Sequence, residues 1–104
     1  MKTQLNRGLT RRLMYVENKD GMIDGAHARI GWVTFSRTGQ TVYYRGLTLM
    51  KANGTGGNFM DTTTREEYWV SGVKKRGSNV HPAEWACVEV DADALEGYRA
   101  LKIA

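Results

Sequence analysis

The chain predicts an all-β domain: a small bent barrel of SH3-like type, with six or seven short strands and one short helix near the C-terminus. Three observations lead there. Short runs rich in β-branched and aromatic residues recur along the chain, the types that suit a pleated, half-buried surface. Glycine-containing turns separate these runs. The length of 104 residues matches one domain with a modest core that needs no metal or disulfide to fold.

Residues 1–12 hold Lys2, Arg7, Arg11 and Arg12 with no acidic neighbour and no apolar run, so they read as a flexible basic arm rather than a signal peptide. The folded domain is expected over 13–104. Leu13–Glu17 is a plausible first strand, and the two Asp-Gly pairs between Asn18 and Gly25 mark a loop. Arg29–Gly46 then reads as a central hairpin. Its turn, Arg37-Thr38-Gly39, places glycine where a three-residue loop requires positive φ. That turn pairs Ser36 with Gln40, and so Trp32 with Tyr44 and Val33 with Tyr43. One face would then carry Ile30, Trp32, Thr34, Val42 and Tyr44, and the other Val33, Phe35, Thr41 and Tyr43.

The second arm is expected to bend at Gly46 and run on through Leu47–Lys51, as strands do around small barrels. Asn53–Asn58 is a glycine-rich turn before a short strand at Phe59–Thr62, and Glu67–Ser71 forms another. A loop covers Gly72–Ala83, followed by a strand at Trp85–Val90. Asp93 with Glu96 has the form of a helix cap, Gly97 limits that helix to a turn or two, and Arg99–Ile103 alternates like a last strand. Val33, Phe35, Tyr43, Tyr68 and Val88 are the expected core.

Leu13–Asn18, Ala28–Gly31, Phe35–Gly39, Tyr43–Gly46 and Glu67–Gly72 together resemble a family of small uncharacterised bacterial proteins over roughly residues 13–103. The resemblance implies a bacterial cytoplasmic protein, and it brings no established activity and no functional residues.

Charge and residue type narrow the function. The net charge of +4 sits on the arm: from Leu13 onward, 11 basic residues meet 11 acidic ones. A neutral body argues against a dominant nucleic-acid face, despite a pI near 9.4. No stretch approaches the roughly 20 apolar residues that span a bilayer. A single cysteine, Cys87, excludes an internal disulfide and fits a reducing cytoplasm. With His27 and His81 it makes too small a set for a zinc site built from histidine and cysteine.

The Asp20–Gly25 loop departs from calcium-loop spacing at Met22. The glycines at 54, 56 and 57 lack the lysine and helix of a phosphate loop, so they read as a hairpin turn. Asp61, Glu66 and Glu67 beside Arg65 read as a solvated, charge-balanced surface. No catalytic residue, cofactor or metal ligand is assigned, and the expectation is a non-catalytic module.

The residues that remain are Trp32, Tyr44 and Trp69, which could share a face, with Arg45 and the run Lys74, Lys75 and Arg76 nearby. The plainest reading makes the aromatics the second half of the core, covered by the C-terminal segment. As an exposed surface, Trp, Tyr and Arg suit a protein partner or self-association, being the residues that dominate contact hot spots. Single-stranded nucleic acid is the alternative, held by the basic arm, the Lys74–Arg76 loop and stacking aromatics.

Overall fold

The computed structural model describes residues 8–73 and 88–103. Six strands form the wall of a closed antiparallel barrel: β1 (Thr10–Asn18), β2 (Ala28–Phe35), β3 (Thr41–Tyr44), β4 (Leu47–Lys51), β5 (Phe59–Asp61) and β6 (Glu67–Gly72). Each strand pairs with the next in sequence, and β6 returns to pair with β1, Val16 opposite Val70. Closure leaves the barrel wall without a free edge. An extra strand, β7 (Val88–Val90), runs parallel to the first residues of β2. A 3-10 turn at Ala92–Ala94 then leads into α1 (Leu95–Ile103).

The strand count, the barrel and the terminal helix agree with the sequence expectation. Several boundaries do not. β1 starts at Thr10, so Arg11 and Arg12 are paired strand residues opposite Thr34 and Val33 rather than part of an arm. Gly46 is not a bend: with Arg45 it forms a two-residue turn at positive φ (47° and 80°), and β3 and β4 are separate strands of a tight hairpin. The bend on which the SH3-like form rested is therefore a turn. Arg99–Ile103 is helix, because α1 runs through Gly97, which lies against the indole of Trp32. The Asp93 cap does not form either. Asp91 stands at the N-cap position of the 3-10 turn, and its side chain bonds elsewhere.

The β2–β3 register is shifted by one residue from the expected pairing. Thr34 faces Tyr43 and Phe35 faces Val42. Gly39 does have positive φ, 76°. The shift arises because Ser36 takes Thr41 as its partner: Ser36 N–H donates to Thr41 O (2.9 Å) and Thr41 N–H to Ser36 Oγ (3.0 Å). Gln40 is left in the turn, its carbonyl accepting from Lys51 N–H. A slip of one residue exchanges the faces of a whole strand. Val42 and Tyr44 thus join Val33 inside the barrel, while Tyr43 stands outside at 44% exposure. Of the expected core, Val33 and Tyr68 are buried, Phe35 and Val88 half-buried, and Tyr43 exposed.

Two apolar cores result. The interior holds Val16, Ile23, Val33, Val42, Tyr44, Leu49, Phe59, Tyr68 and Val70. The second lies on the outer side of β1, β2 and β6, where Tyr15, Ala28 and Ile30 are covered by Val88, Val90 and Tyr98 with Leu13, Trp69 and Val73. Just before β5 starts, a side chain takes the place of backbone pairing. Asn58 Nδ2 donates to Val70 O (2.8 Å) and Asn58 Oδ1 accepts from Val70 N–H (2.9 Å), so one amide stands in for a strand residue beside β6.

Candidate functional site

Of the residues singled out from sequence, the four that are described, Trp32, Tyr44, Arg45 and Trp69, do not form one surface. Tyr44 is inside the barrel. Trp32 lies on the outer side under α1; its Nε1–H donates to Asp93 O (3.1 Å), and the Arg11 guanidinium lies 4.7 Å from the ring centre. Trp69 belongs to the outer core. These three therefore serve packing, and the C-terminal segment covers the outer core. Arg45 points into an ion-pair network described below. Lys74, Lys75, Arg76, His81 and Cys87 lie outside the described residues.

One buried polar network centres on a residue that sequence reasoning missed. Between β2 and β3 the strands part, and Asp91 enters the gap, its N–H donating to Ile30 O (2.8 Å). Its Oδ1 pairs with Arg29 Nη1 (3.1 Å) and Arg45 Nη1 (3.3 Å), and its Oδ2 accepts from the Tyr44 hydroxyl (2.5 Å). Arg29 also donates to the carbonyls of Ile23 and Asp24, and Arg45 Nε to Asp24 Oδ2 (2.6 Å). Burial and the hydrogen bond to Asp91 hold the Tyr44 hydroxyl well above the ordinary tyrosine range. The hydrogen bond to Asp24 raises the already high pKa of Arg45 further. Every charge is matched, and the network ties the β1–β2 loop, the β3–β4 turn and the C-terminal segment to the barrel. No sequence periodicity marks residues 62 positions apart as partners.

A second cluster centres on Glu17, 3% exposed on the outer side of β1. It accepts from the Tyr15 hydroxyl (3.0 Å) and Lys19 Nζ (3.1 Å), with His27 Nε2 at 3.7 Å. Of the three carboxylates expected to be solvated, Glu66 accepts from the side chains of Thr64 and Asn18, and the other two are bonded to backbone. Asp61 is buried and accepts from Thr63 and Thr64 N–H. Glu67 Oε1 accepts from Gly56 N–H and Gly57 N–H, both at 3.0 Å. The glycine-rich loop is thus an anion nest after all, and its anion is this chain's own Glu67. Among the described residues, no group of three His, Cys, Asp or Glu is placed to hold a metal.

The surface left open is the outer side of β3, β4 and β5. Thr41, Met50 and Met60 form one row across the three strands, and Tyr43 with Thr48 the next. Met50 is 50% exposed. A hollow of about 360 Å³ lies here, floored by Met50, Met60 and Ala52 and edged by Lys51, Arg65 and Thr62. The alternation Leu49-Met50 and Phe59-Met60 carried the signal for this face, but the assumed register turned Tyr43 inward and hid it. No family model, curated protein or solved structure matches the chain. The site must therefore be read from its own chemistry. No helix among the described residues is long and apolar enough to cross a membrane.

Proposed function

We propose that this chain is a non-catalytic binding module, bacterial and cytoplasmic, that engages a protein partner through the outer side of β3, β4 and β5. The observation that carries the reading is exposed Met50 beside half-buried Met60 and exposed Tyr43, with the cations Lys51 and Arg65 at the edge. Methionines adapt to varied apolar partners, and an apolar centre with a polar rim is the usual anatomy of a contact surface. The buried carboxylates Asp91, Glu17 and Asp61 and the half-buried Glu67 support a non-catalytic role, because each is engaged in bonds that hold the fold.

Single-stranded nucleic acid is less well supported. Trp32 has Arg11 on its ring and α1 beside it, Trp69 is part of the outer core and Tyr44 is interior, so none offers an open stacking platform. The test is cross-linking of the full chain in a bacterial lysate followed by mass spectrometry, comparing wild type with Met50→Asp. Partners that are lost from the variant, while its melting curve stays unchanged, are expected. An identical set of cross-links from both proteins would overturn the assignment of this face.

A further inference from the structure

A different part of the molecule shows an unbalanced charge. The barrel has two ends. The β1–β2, β3–β4 and β5–β6 connections lie at one, with Asp20, Asp24 and Glu66 among their residues and Asp61 at the end of β5. The other holds the start of β1, the β2–β3 turn and the end of β4. Residues 8–12, 36–40 and 52–58 there contain no Asp or Glu of their own, Glu67 being bonded into the last of them, and they include Arg11, Arg12 and Arg37, with Lys51 immediately before the last. Arg11 is occupied by Trp32 and lies 4.0 Å from Asp93. Arg12 and Arg37 have no carboxylate within ion-pair distance among the described residues.

These two arginines line one hollow of about 390 Å³ at the mouth of the barrel. Met14 and Phe35 form its floor; both are half-buried and pack against the interior core. Thr10, Ser36 and Thr38 supply hydroxyls around the rim. Arg37 is held beside the start of β1, so close that a Cβ added to Gly8 would lie 3.2 Å from its Nε. The arrangement puts two guanidiniums on one hollow, groups that bind a carboxylate or phosphate through charge-assisted hydrogen bonds, beside the apolar side chains of Met14 and Phe35. The volume is at the small end for ligand sites.

We propose that this mouth is a binding site for a small amphiphilic anion, its carboxylate or phosphate between Arg12 and Arg37 and its apolar body on Phe35 and Met14. Neither half suffices alone. An inorganic anion leaves the floor exposed, and a neutral alkyl compound leaves the guanidinium pair unmatched. The site is separate from the β3–β5 face and does not depend on that reading.

The test is an amide chemical-shift titration of the nitrogen-labelled full chain. The probes are decanoate and decyl phosphate below their micellar concentrations, decanol, inorganic phosphate and a short single-stranded oligonucleotide. Saturable decanoate or decyl phosphate shifts at Thr10, Arg12 and Ser36–Gly39 are expected, with decanol and inorganic phosphate at least tenfold weaker. Losing the charge-assisted bonds in the Arg12→Gln, Arg37→Gln double variant should weaken binding by roughly tenfold or more. Arg37→Gln alone, at an exposed turn position, answers the same question if the double variant does not fold. Decanol binding as well as decanoate would overturn the role of the arginines, and inorganic phosphate binding as well would overturn that of the floor. Tighter binding of the oligonucleotide, shifts located elsewhere or no saturable binding would each overturn the proposal.

Discussion

Two glycines of the central hairpin, one in its turn and one in a strand, separate the reasons for which a protein keeps glycine. Gly39 sits at φ 76° with nothing within 4 Å of a notional Cβ, so its constraint is purely that of the backbone. Gly39→Val should cost about 1–2 kcal/mol, the left-handed penalty for a residue with a Cβ. Gly31 is different: its backbone is ordinary, but a Cβ there would collide with Asp91 Oδ2 and the Tyr44 ring and hydroxyl. Gly31→Ala, though smaller in sequence terms, should cost more, about 1–3 kcal/mol with displacement of Asp91. Urea unfolding of the two variants gives the order. Should Gly31→Ala prove as stable as wild type, Asp91 does not fill the gap between β2 and β3. Gly39 was legible from sequence because turn chemistry is local. Gly31 was not, since its reason lies 60 residues away in the side chain of Asp91.

Among the elements, strands were readable and their registers were not. β-branched and aromatic runs located β1, β2, β5 and β6 to within a few residues. Register at β2–β3, however, depended on Ser36: its Oγ recruits Thr41 N–H and lengthens the loop by one residue. Together with the Ser36 N–H bond to Thr41 O, that contact fixes the positions of Tyr43 and Tyr44. α1 overrode the alternation of Arg99–Ile103 because Tyr98 packs on the outer core and Trp32 meets Gly97. The segment before α1 is fixed by Asp91. Asp91→Ala leaves Arg29, whose side chain is 14% exposed, without its carboxylate, and removing one member of a buried pair costs about 3–5 kcal/mol. Melting curves should show that loss, with Asp91→Asn intermediate because it still accepts from Tyr44. An unchanged melting temperature in Asp91→Ala would show that the network does not hold the C-terminal segment.

For the whole molecule, the interior tyrosines set the response to alkali. Burial, reinforced by the nearby carboxylates of Glu66, Asp61 and Asp24, pushes the Tyr68 hydroxyl up to about 12. The unfolded chain ionises near 10. Between those values the folded state keeps a proton that the unfolded state has lost, so stability is complete below pH 10 and falls as pH rises toward 12. The slope from this residue reaches at most about 1.4 kcal/mol per pH unit. Urea midpoints at rising alkaline pH should decline, and less steeply in Tyr68→Phe; equal slopes would mean that Tyr68 is not shielded. The candidate surfaces belong to this scale too. Met50, Met60 and Tyr43 meet only once three strands are in register, and Arg12 comes to the same hollow as Arg37 only once β1 has paired with β2. No window of sequence contains either group, which is why the sequence pointed to Trp32, Tyr44 and Trp69 instead.

Asn58 shows how narrow the tolerance of such a wall can be. Its amide acts as a surrogate peptide unit, offering Val70 both an acceptor and a donor. Aspartate there has the same shape and one altered atom, yet it would turn that donor into an acceptor facing the Val70 carbonyl. Glutamine keeps the chemistry and overshoots by a methylene. The position therefore discriminates among side chains as strictly as a binding pocket does, although its ligand is the neighbouring strand.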